Sequence, residues 1–352
     1  MRRETLPNKQ SGAYEPGRWR VNPLNRSSDV VNGNFPTVVR LRDITLRTLE
    51  HVSGTPSSDE RRETFLSEVV ATCVPEIHTS TFGQGHTLEW MRAEVQTVKR
   101  INPLCLVWHG GARTSDDVKL AADAGYDGVQ FWNVAGGSES IERVCELISA
   151  GAQFGIKVSA GINRLTHAGE EYIRDYSKAV REAGGYEIAL YDSPGGVGPE
   201  AFAYLVGMIK EAAEGCIVAV HAHDSFGLAI ANSIASARAG ADVIEVAVNG
   251  FCTGSGNADL ACVATALTVL YGVETGIDLA TLTQLARLGE AFSGDQVAQN
   301  FPVTGKDVFN FTGTESQIRE LSALGLDPLK HWPIDPALVG NKGKWTIAGP
   351  SH

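Results

Sequence analysis

Hydrophobic and polar residues follow two alternating patterns from residue 37 onward. Short runs of β-branched and apolar residues, typical of buried strands, are separated by longer stretches in which apolar residues recur every three or four positions, as in amphipathic helices. The pattern predicts strands that start near Val38, Val74, Leu104, Gly128, Ile156, Glu187, Ile217 and Asp242. It predicts helices over residues 58–72, 115–124, 138–154, 170–183, 199–213 and 227–239.

The repetition of strand–helix units over roughly 240 residues predicts an α/β protein built on a TIM (β/α)8 barrel. An open doubly wound sheet seldom has so many near-equal repeats, and no GxGxxG motif opens the first helix. After about Thr275 the alternation stops, and residues 279–292 are helical again. We therefore expect three parts: an irregular N-terminal arm (1–36), the barrel as catalytic domain (37–275), and a C-terminal subdomain of helical and irregular structure that covers the barrel mouth (276–352).

Composition and charge narrow the classes of protein to which the chain can belong. With 352 residues, of which 43% are hydrophobic and 20% charged, it can bury a large core. The net charge of −11 argues against a nucleic-acid partner or an anionic membrane surface. No run of about 18 apolar residues is present, and the N-terminus lacks the apolar segment of a secretory signal. We expect a cytoplasmic protein without a membrane span.

Two smaller compositional features add expectations. The six cysteines form no CxxC pair, so we expect reduced thiols rather than disulfides. Residues 1–36 carry six Lys or Arg against three acidic residues. This arm is interpreted either as disordered or draped over a neighbouring subunit, or as a basic segment that helps to hold an anionic substrate.

A pair of histidines marks the end of the seventh predicted strand. His221 and His223 are two positions apart, so their side chains point to the same side of the strand. In a TIM barrel the active residues lie at the carboxyl ends of the strands. We expect a divalent metal at this pair, with His78 of the second strand as a third ligand, because neutral imidazole suits Zn, Fe, Co or Mn. The alternative is a hydrogen-bonded pair without metal.

Other strand ends carry further candidate residues. The first predicted strand ends in Arg47 and Thr48, and the second ends in His78. Arg47 is suited to hold a substrate carboxylate or a developing oxyanion; the alternative is a salt bridge that closes the barrel end. His51 is a candidate general base. Cys252, in the glycine-rich turn after the eighth strand, is either a catalytic acid or a packed thiol. The candidate substrate contacts at the remaining strand ends are Thr48, His109, Asn133 and Asp192.

Three motifs together resemble the pyruvate carboxyltransferase or DRE-TIM metallolyase superfamily. They are DxTLR at 43–47, HxHD with GLAxAN at 221–232, and NGxxxxxGN at 249–257. The group includes 3-hydroxy-3-methylglutaryl-CoA lyase, the isopropylmalate, homocitrate and citramalate synthases, and 4-hydroxy-2-oxovalerate aldolase. The resemblance covers about residues 37–275. It implies a homo-oligomer, expected to be a homodimer, in which a divalent metal (Mn, Mg, Zn, Fe or Co), with Asn257 among its ligands, stabilises an enolate as a C–C bond is made or broken.

The subfamily motifs point in two directions. DSPGG at 192–196 and GFxxGxGN at 250–257 resemble the aldolases, whereas PVTG at 302–305 and DPxLVGN at 335–341 resemble the Claisen-type synthases. The leading hypothesis is a metal-dependent lyase or aldolase acting on a 2-oxo acid or related small carboxylate. The alternative is an acyl-CoA:2-oxo acid synthase, which adds acyl-CoA as a partner. A third hypothesis is a barrel that has lost catalysis and has a binding role.

Three positions depart from the pattern that the resemblance implies. Without gaps, Thr48 stands where the superfamily has an acidic metal ligand, and His78 where it has a catalytic glutamate. Phe311 stands where the synthases bring a catalytic histidine from the C-terminal subdomain. In a shifted register, residues 42–43 would supply the Arg-Asp pair instead. We hypothesise that the exchanges create a three-histidine site with a more positive metal.

Overall fold

Eight parallel strands close into a barrel in a computed structural model that describes residues 12–31, 35–53, 59–134, 139–323 and 328–347. Each strand pairs with its neighbours in the chain, and the last pairs with the first, with Ile244 opposite Leu41. The strands are β1 (Arg40–Asp43), β2 (Glu76–Thr81), β3 (Leu106–Gly110), β4 (Gly128–Val134), β5 (Lys157–Asn163), β6 (Glu187–Asp192), β7 (Ile217–Ala222) and β8 (Val243–Val246). The predicted TIM barrel is confirmed, and every predicted strand start lies within two residues of the observed one.

Helices follow the strands around the outside of the barrel. Those belonging to the strand–helix units are α1 (Thr45–Ser53), α2 (Asp59–Ala71), α3 (Leu88–Ile101), α4 (Ser115–Ala124), α5 (Glu139–Phe154), α6 (Glu170–Glu182), α7 (Pro199–Ala212) and α8 (Ala229–Arg238). Beyond the eighth strand come α9 (Leu260–Ala266), α10 (Leu282–Ser293) and α11 (Glu315–Ala323). None of the helices in the described ranges has the length and apolarity to cross a membrane.

The first strand and the second strand differ from the prediction in ways that matter for the site. The strand β1 ends at Asp43, and Arg47 and Thr48 lie in α1, which starts two residues later. The DxTLR segment is therefore a strand-to-helix junction rather than part of a strand. His78 lies in the middle of β2 and not at its end.

The interior of the barrel contains a cluster of buried charges. The fully buried guanidinium of Arg42 contacts Glu76 Oε2 and Glu187 Oε2 at 2.6 Å each, and Glu245 Oε1 at 3.2 Å. It also lies 4.3 Å from the ring centroid of Trp108. Buried charges are stable only when they are paired and hydrogen-bonded. Strands β1, β2, β6 and β8 are thus linked across the barrel by one arginine.

The described part of the N-terminal arm, residues 12–31, contains three short regular segments, and the division of the chain into three parts stays a prediction. Tyr14–Glu15 and Trp19–Arg20 form a short antiparallel pair, followed by a 3-10 turn at Pro23–Arg26. Trp19 also pairs with Ile334 of the C-terminal region. That region contains a second two-stranded sheet, Asn310–Gly313 beside Lys344–Ile347. Its placement over the barrel mouth stays a prediction.

Candidate active site

His221 and Glu245 face each other from neighbouring strands. His221 lies in β7 and Glu245 in β8, and His221 Nδ1 is 2.9 Å from Glu245 Oε2. Burial disfavours the charged form of Glu245, but the hydrogen bond from His221 and the charge of Arg47 outweigh it and hold the pKa of Glu245 well below its usual range. Burial also lowers the pKa of His221, although Glu245 opposes this, so the imidazole is neutral at pH 7.

His223 stands directly after β7 and completes the predicted histidine pair. Its ring centroid lies 5.0 Å from that of His221. Burial, followed by the neighbouring His221 and Arg47, lowers the pKa of His223 to about 3, so it too is neutral at pH 7. Cys252 Sγ is 3.7 Å from His223 Nε2, which brings the candidate acid to the site. The structure therefore brings His221, His223 and Cys252 together as neighbours.

Asn257 is placed beside His223 by a backbone bridge between the two residues. Its side chain is buried, yet neither amide atom has a hydrogen-bond partner among the described residues. An unsatisfied buried amide costs about 1–3 kcal/mol, so this amide is available to pair with a bound ligand or metal. The amide oxygen is a suitable metal ligand.

The donors around His223 fit a divalent metal in part. Two neutral imidazoles and the unsatisfied Asn257 amide are suitable ligands, but Thr48, buried in α1, offers a hydroxyl where a carboxylate was expected. Over the described ranges, no group of three or more His, Cys, Asp or Glu side chains is arranged as a metal site. His78 is therefore not grouped with the pair, and the three-histidine site stays a hypothesis. A metal here would take its remaining ligands from water or substrate.

Arg47 reaches the same carboxylate as His221. Its Nη2 is 3.5 Å from Glu245 Oε2, and its guanidinium lies 5.2 Å from the ring centroid of Trp132. The ion pair that we considered as the alternative role of Arg47 is thus present. Because its partner also holds His221, this ion pair belongs to the site and not to a separate barrel closure.

The alternative Arg-Asp pair at residues 42–43 is engaged elsewhere. Arg42 faces the barrel interior, where it binds three glutamates. Asp43 accepts hydrogen bonds from Thr45 N at 3.1 Å and Thr45 Oγ1 at 2.8 Å. The gap-free alignment, with Arg47 as the site arginine, stays the preferred prediction.

His78 is fully buried next to Trp132, with their ring centroids 6.2 Å apart. Neither ring nitrogen has a hydrogen-bond partner within the described part of the chain. Burial and the charge of Arg47 hold the pKa of His78 well below its usual value. A Cβ atom on Gly110 would lie 2.7 Å from His78 Nε2, so glycine is required there to make room for the imidazole. His78 is a neutral group placed close to Arg47.

The remaining predicted substrate contacts have partners of their own. His109 packs against Phe82 with ring centroids 4.1 Å apart, and burial lowers its pKa to about 4. Asn133 donates a hydrogen bond to the Tyr172 hydroxyl. Asp192 accepts from Val197 N at 2.7 Å, which is a turn-stabilising contact. Their roles toward substrate stay predictions.

The side chain of His51 lies outside the described part of the structure, although its backbone belongs to α1. Its predicted role as general base therefore stays a prediction.

Sequence reasoning missed Glu245 and Gln130, which hold the site together. Gln130 Nε2 donates to Glu245 Oε1 at 3.0 Å, and Gln130 Oε1 accepts from Trp132 Nε1 at 2.9 Å. Tyr191 also donates to Glu245 Oε1, at 2.9 Å. A signal was present, since Glu245 and Gln130 each interrupt a run of apolar strand residues, and buried polar residues in such runs need partners.

Comparisons with known proteins agree with this architecture. The family model described as HMGL-like matches residues 38–288, which is more than half of the chain. The chain belongs to the HMGL-like family. A relative named 2-phosphonomethylmalate synthase, from Streptomyces rubellomurinus, is 30% identical over 319 residues, covering 87% of this chain and 83% of the relative. A probable 2-isopropylmalate synthase from Ignicoccus hospitalis is 29% identical over 329 residues, covering 88% and 78%.

Solved structures show the same fold for this HMGL-like chain. An HMG-CoA lyase from Bacillus subtilis superposes with a TM-score of 0.66 at 18% identity, covering 77% of this chain and 99% of that structure. The predicted superfamily is thus confirmed. The departures from the superfamily pattern at Thr48, His78 and Phe311 stay predictions. Phe311 lies in an aromatic cluster, with ring centroids 5.5 Å from Trp345 and 6.1 Å from His331.

Proposed function

We propose that this HMGL-like chain is an enzyme that joins an acyl thioester to a 2-oxo acid in a Claisen-type condensation. The α-carbon of the thioester loses a proton and adds to the carbonyl carbon of the 2-oxo acid, whose oxygen takes up a proton, and water then hydrolyses the thioester to release the free thiol. The observation that carries the proposal is the convergence of Arg47 and His221 on one carboxylate oxygen of Glu245, at 3.5 and 2.9 Å. It places a fixed cation and a neutral imidazole side by side, which suits a small anionic substrate whose oxygen gains charge during reaction. The related synthases match the chain beyond the barrel, whereas the likeness to the lyase supports the fold alone.

The roles follow from the contacts. His221, His223 and Asn257 would hold a divalent metal, which when bound polarises the 2-oxo group and stabilises the charge that develops on oxygen. Arg47 would bind the substrate carboxylate or the same developing oxyanion, because its guanidinium is held by Glu245 and Trp132. His51 remains the proposed base, and the unpaired nitrogens of His78 would contact the bound substrate.

Cleavage of a C–C bond is the second candidate. Cys252 favours it, since its Sγ lies 3.7 Å from His223 Nε2 and a thiol there can protonate the carbanion that cleavage leaves behind. Position 311 itself holds a phenylalanine where the synthase resemblance implies a histidine, although the ring of His331 lies beside it, with centroids 6.1 Å apart. A lyase acting on a 3-hydroxyacyl thioester would use the same residues to break the C–C bond that the condensation forms, whereas an aldolase would use them to stabilise the enolate of the 2-oxo acid.

Purified protein with added Mn²⁺ or Zn²⁺ can be tested against a panel of acyl-CoA and 2-oxo acid pairs. We expect release of free CoA thiol that requires both substrates, together with a new malate-type product in the mass spectrum. Release of a 2-oxo acid from 4-hydroxy-2-oxo acids, or of acyl-CoA from 3-hydroxyacyl-CoA, would replace the synthase by the lyase. If neither reaction occurs but the 2-oxo acid still binds in calorimetry, the chain is a binding protein.

A matched pair of histidine variants distinguishes a loss of activity caused by the proposed site from a nonspecific loss of activity. His221→Ala should abolish turnover, whereas His167→Ala, at an exposed position, should leave it unchanged. Equal activity in the two variants contradicts the proposed site.

We further propose a cytoplasmic homodimer, which light scattering coupled to gel filtration would test through a mass twice the 37.6 kDa of the chain.

A further inference from the structure

The two carboxylate oxygens of Glu245 contact different parts of the molecule, one the candidate active site and the other the barrel interior. Its Oε2 contacts His221 Nδ1 at 2.9 Å and Arg47 Nη2 at 3.5 Å, both groups of the candidate active site. Its Oε1 accepts from Tyr191 Oη at 2.9 Å, Gln130 Nε2 at 3.0 Å and Arg42 Nη1 at 3.2 Å, all in the barrel interior. One carboxylate therefore joins the reacting end of the barrel to its structural centre.

The interior contacts of Glu245 are held in place by further partners. Arg42 is fixed by Glu76 and Glu187 at 2.6 Å each. Gln130 is oriented because its Oε1 accepts from Trp132 Nε1, which leaves its Nε2 to face Glu245. The Trp132 ring in turn lies under Arg47, so the contacts Glu245–Gln130–Trp132–Arg47 close on themselves. Neither the carboxylate nor the guanidinium can move without breaking a buried contact.

We propose that Glu245 is a positioning residue that fixes the tautomer of His221 and the place of Arg47. Donors surround the Glu245 carboxylate, with Tyr191, Gln130 and Arg42 at Oε1 and Arg47 at Oε2, so both of its oxygens act as acceptors. His221 must then donate from Nδ1 to Oε2. A neutral imidazole that carries its proton on Nδ1 has its lone pair on Nε2. His221 Nε2 is therefore already able to accept a hydrogen bond or bind a metal in the protein without substrate or metal. The inference deepens the proposed function but concerns the resting protein, so it can be tested without turnover.

The substitution Glu245→Gln makes the two positions of the carboxylate oxygens chemically different, since one becomes an amide oxygen and the other an NH2 group. Three donors converge on the Oε1 side, so the amide oxygen of the glutamine must take that position. The amide NH2 then faces His221 Nδ1 and Arg47. Because an NH2 group only donates, His221 must accept at Nδ1 and carry its proton on Nε2. Replacing one carboxylate oxygen of residue 245 by an NH2 group is therefore expected to reverse the tautomer of His221.

The experiment is NMR of metal-free protein with ¹⁵N-labelled histidine, in which the ring nitrogens of His221 are assigned by comparison with His221→Asn. Wild type should show the Nδ1–H tautomer and Glu245→Gln the Nε2–H tautomer. Titration with Zn²⁺ alone should show affinity about 10–100-fold weaker in Glu245→Gln. The control is Glu94→Gln, which neutralises another buried glutamate paired with an arginine, and whose contacts are with Arg62, Ser80 and Tyr126. It should keep the wild-type tautomer and affinity.

The wild-type spectrum keeps the test decisive even if Glu245→Gln does not fold. An Nε2–H tautomer of His221 in the metal-free wild type overturns the proposal, as does a variant that keeps Nδ1–H or binds Zn²⁺ as tightly as wild type. The activity assay can show no reaction while NMR still shows the expected tautomer of His221. Conversely, NMR can show the other tautomer while the assay still shows the proposed reaction. The two failures are therefore distinguishable.

Discussion

Arg47 is held from two sides, by the carboxylate of Glu245 and by the ring of Trp132. A planar guanidinium can satisfy both contacts at once and still present donors to a substrate, whereas an ammonium group is a single point of charge. The identity of the cation at this position should therefore matter as much as its charge.

Replacing Arg47 with lysine should lower kcat by about 100-fold or more, because a donor aimed at the developing oxyanion is lost while the charge is kept. Steady-state kinetics on the pair of substrates found by the panel assay measures the effect. Arg174→Lys is the control, since Arg174 pairs with Glu170 on the exposed surface of α6. Similar rates for Arg47→Lys and wild type would contradict a role for the guanidinium fork.

Restoring an acid at position 48 should change the response of stability to metal. Thr48 is buried, so the carboxylate of Thr48→Asp is unpaired without metal and should lower Tm in chelator. Added Zn²⁺ or Mn²⁺ should then raise Tm more in the variant than in wild type, because binding to the folded state stabilises it. Differential scanning calorimetry measures both shifts. A control variant, Thr265→Asp in α9, should lose stability without gaining a metal response; equal responses would contradict a metal beside residue 48.

The residues of the site were predictable to different degrees. His221, His223 and Arg47 could be named because strand-end positions and short motifs are visible in one stretch of sequence. Glu245 and Gln130 are 115 residues apart, and their contact depends on the register of the closed barrel. Their polar character in apolar runs showed that each needs a partner, but no local pattern tells which one.

At the scale of elements, the junction between β1 and α1 shapes the site. Only Ile44 separates the two elements. Asp43 accepts two hydrogen bonds from Thr45, and Thr45 Oγ1 in turn accepts from Val248 N at 2.8 Å. These contacts turn the chain sharply and place Arg47 in the first turn of α1. The junction thereby connects the first strand to the turn that follows the last.

The stability contributed by this junction should depend on pH. Burial raises the pKa of Asp43 from 3.8 to about 7, although its bonds with Thr45 oppose the shift. The folded state then binds the proton more tightly than the unfolded state, so ionisation of Asp43 should cost up to roughly 4 kcal/mol of stability as pH rises from about 4 to 7. Urea unfolding of wild type and Asp43→Asn across this range measures it, and the variant should lose that slope. Asp123→Asn, on exposed α4, should keep it; identical slopes in all three would contradict the raised pKa.

Helix bounds were predictable where the caps are local. The helix α4 matches its prediction at both ends, because Thr114 and Asp117 form a capping box and Gly125 adopts a left-handed φ of 92° at the other end. The helices α1 and α3 were not predicted. For α1 the reason is physical: the chain passes from strand to helix without the polar loop by which such boundaries are found. Its first turn was therefore assigned to the strand.

On the scale of the whole molecule, the described N-terminal segment is fastened to distant parts of the chain. Arg20 N donates to Pro333 O at 2.8 Å, and Asp335 N donates to Arg18 O at 2.8 Å. Arg26 Nη2 donates to the carbonyls of Thr268 and Val269 at 3.0 and 2.9 Å, where the chain leaves α9. These contacts tie residues 12–31 to the C-terminal region and to the segment after the last barrel helix.

Replacing Arg26 with alanine should lower the free energy of unfolding by about 1–3 kcal/mol, since two carbonyls lose a charged donor. Thermal and urea denaturation measure the loss, while the ¹⁵N signal of His221 should not change because the site is not contacted. The control is Arg92→Ala, whose side chain donates to the carbonyl of Asp123 on the exposed surface. A loss no larger than in that control would contradict a structural role for the arm.

The arginine inside the barrel has a consequence for biosynthesis. The ion-pair partners of Arg42 in β6 and β8 are made 145 and 203 residues after it. A nascent chain that has produced only half of its strands would leave this cation without two of its three glutamates, exposed to water in an open sheet. Such pairings over long stretches of sequence form late and slowly. The ion pairs of Arg42 in β1 can therefore be completed only after β8 has been synthesised. We expect that half-barrel fragments of this chain do not fold independently.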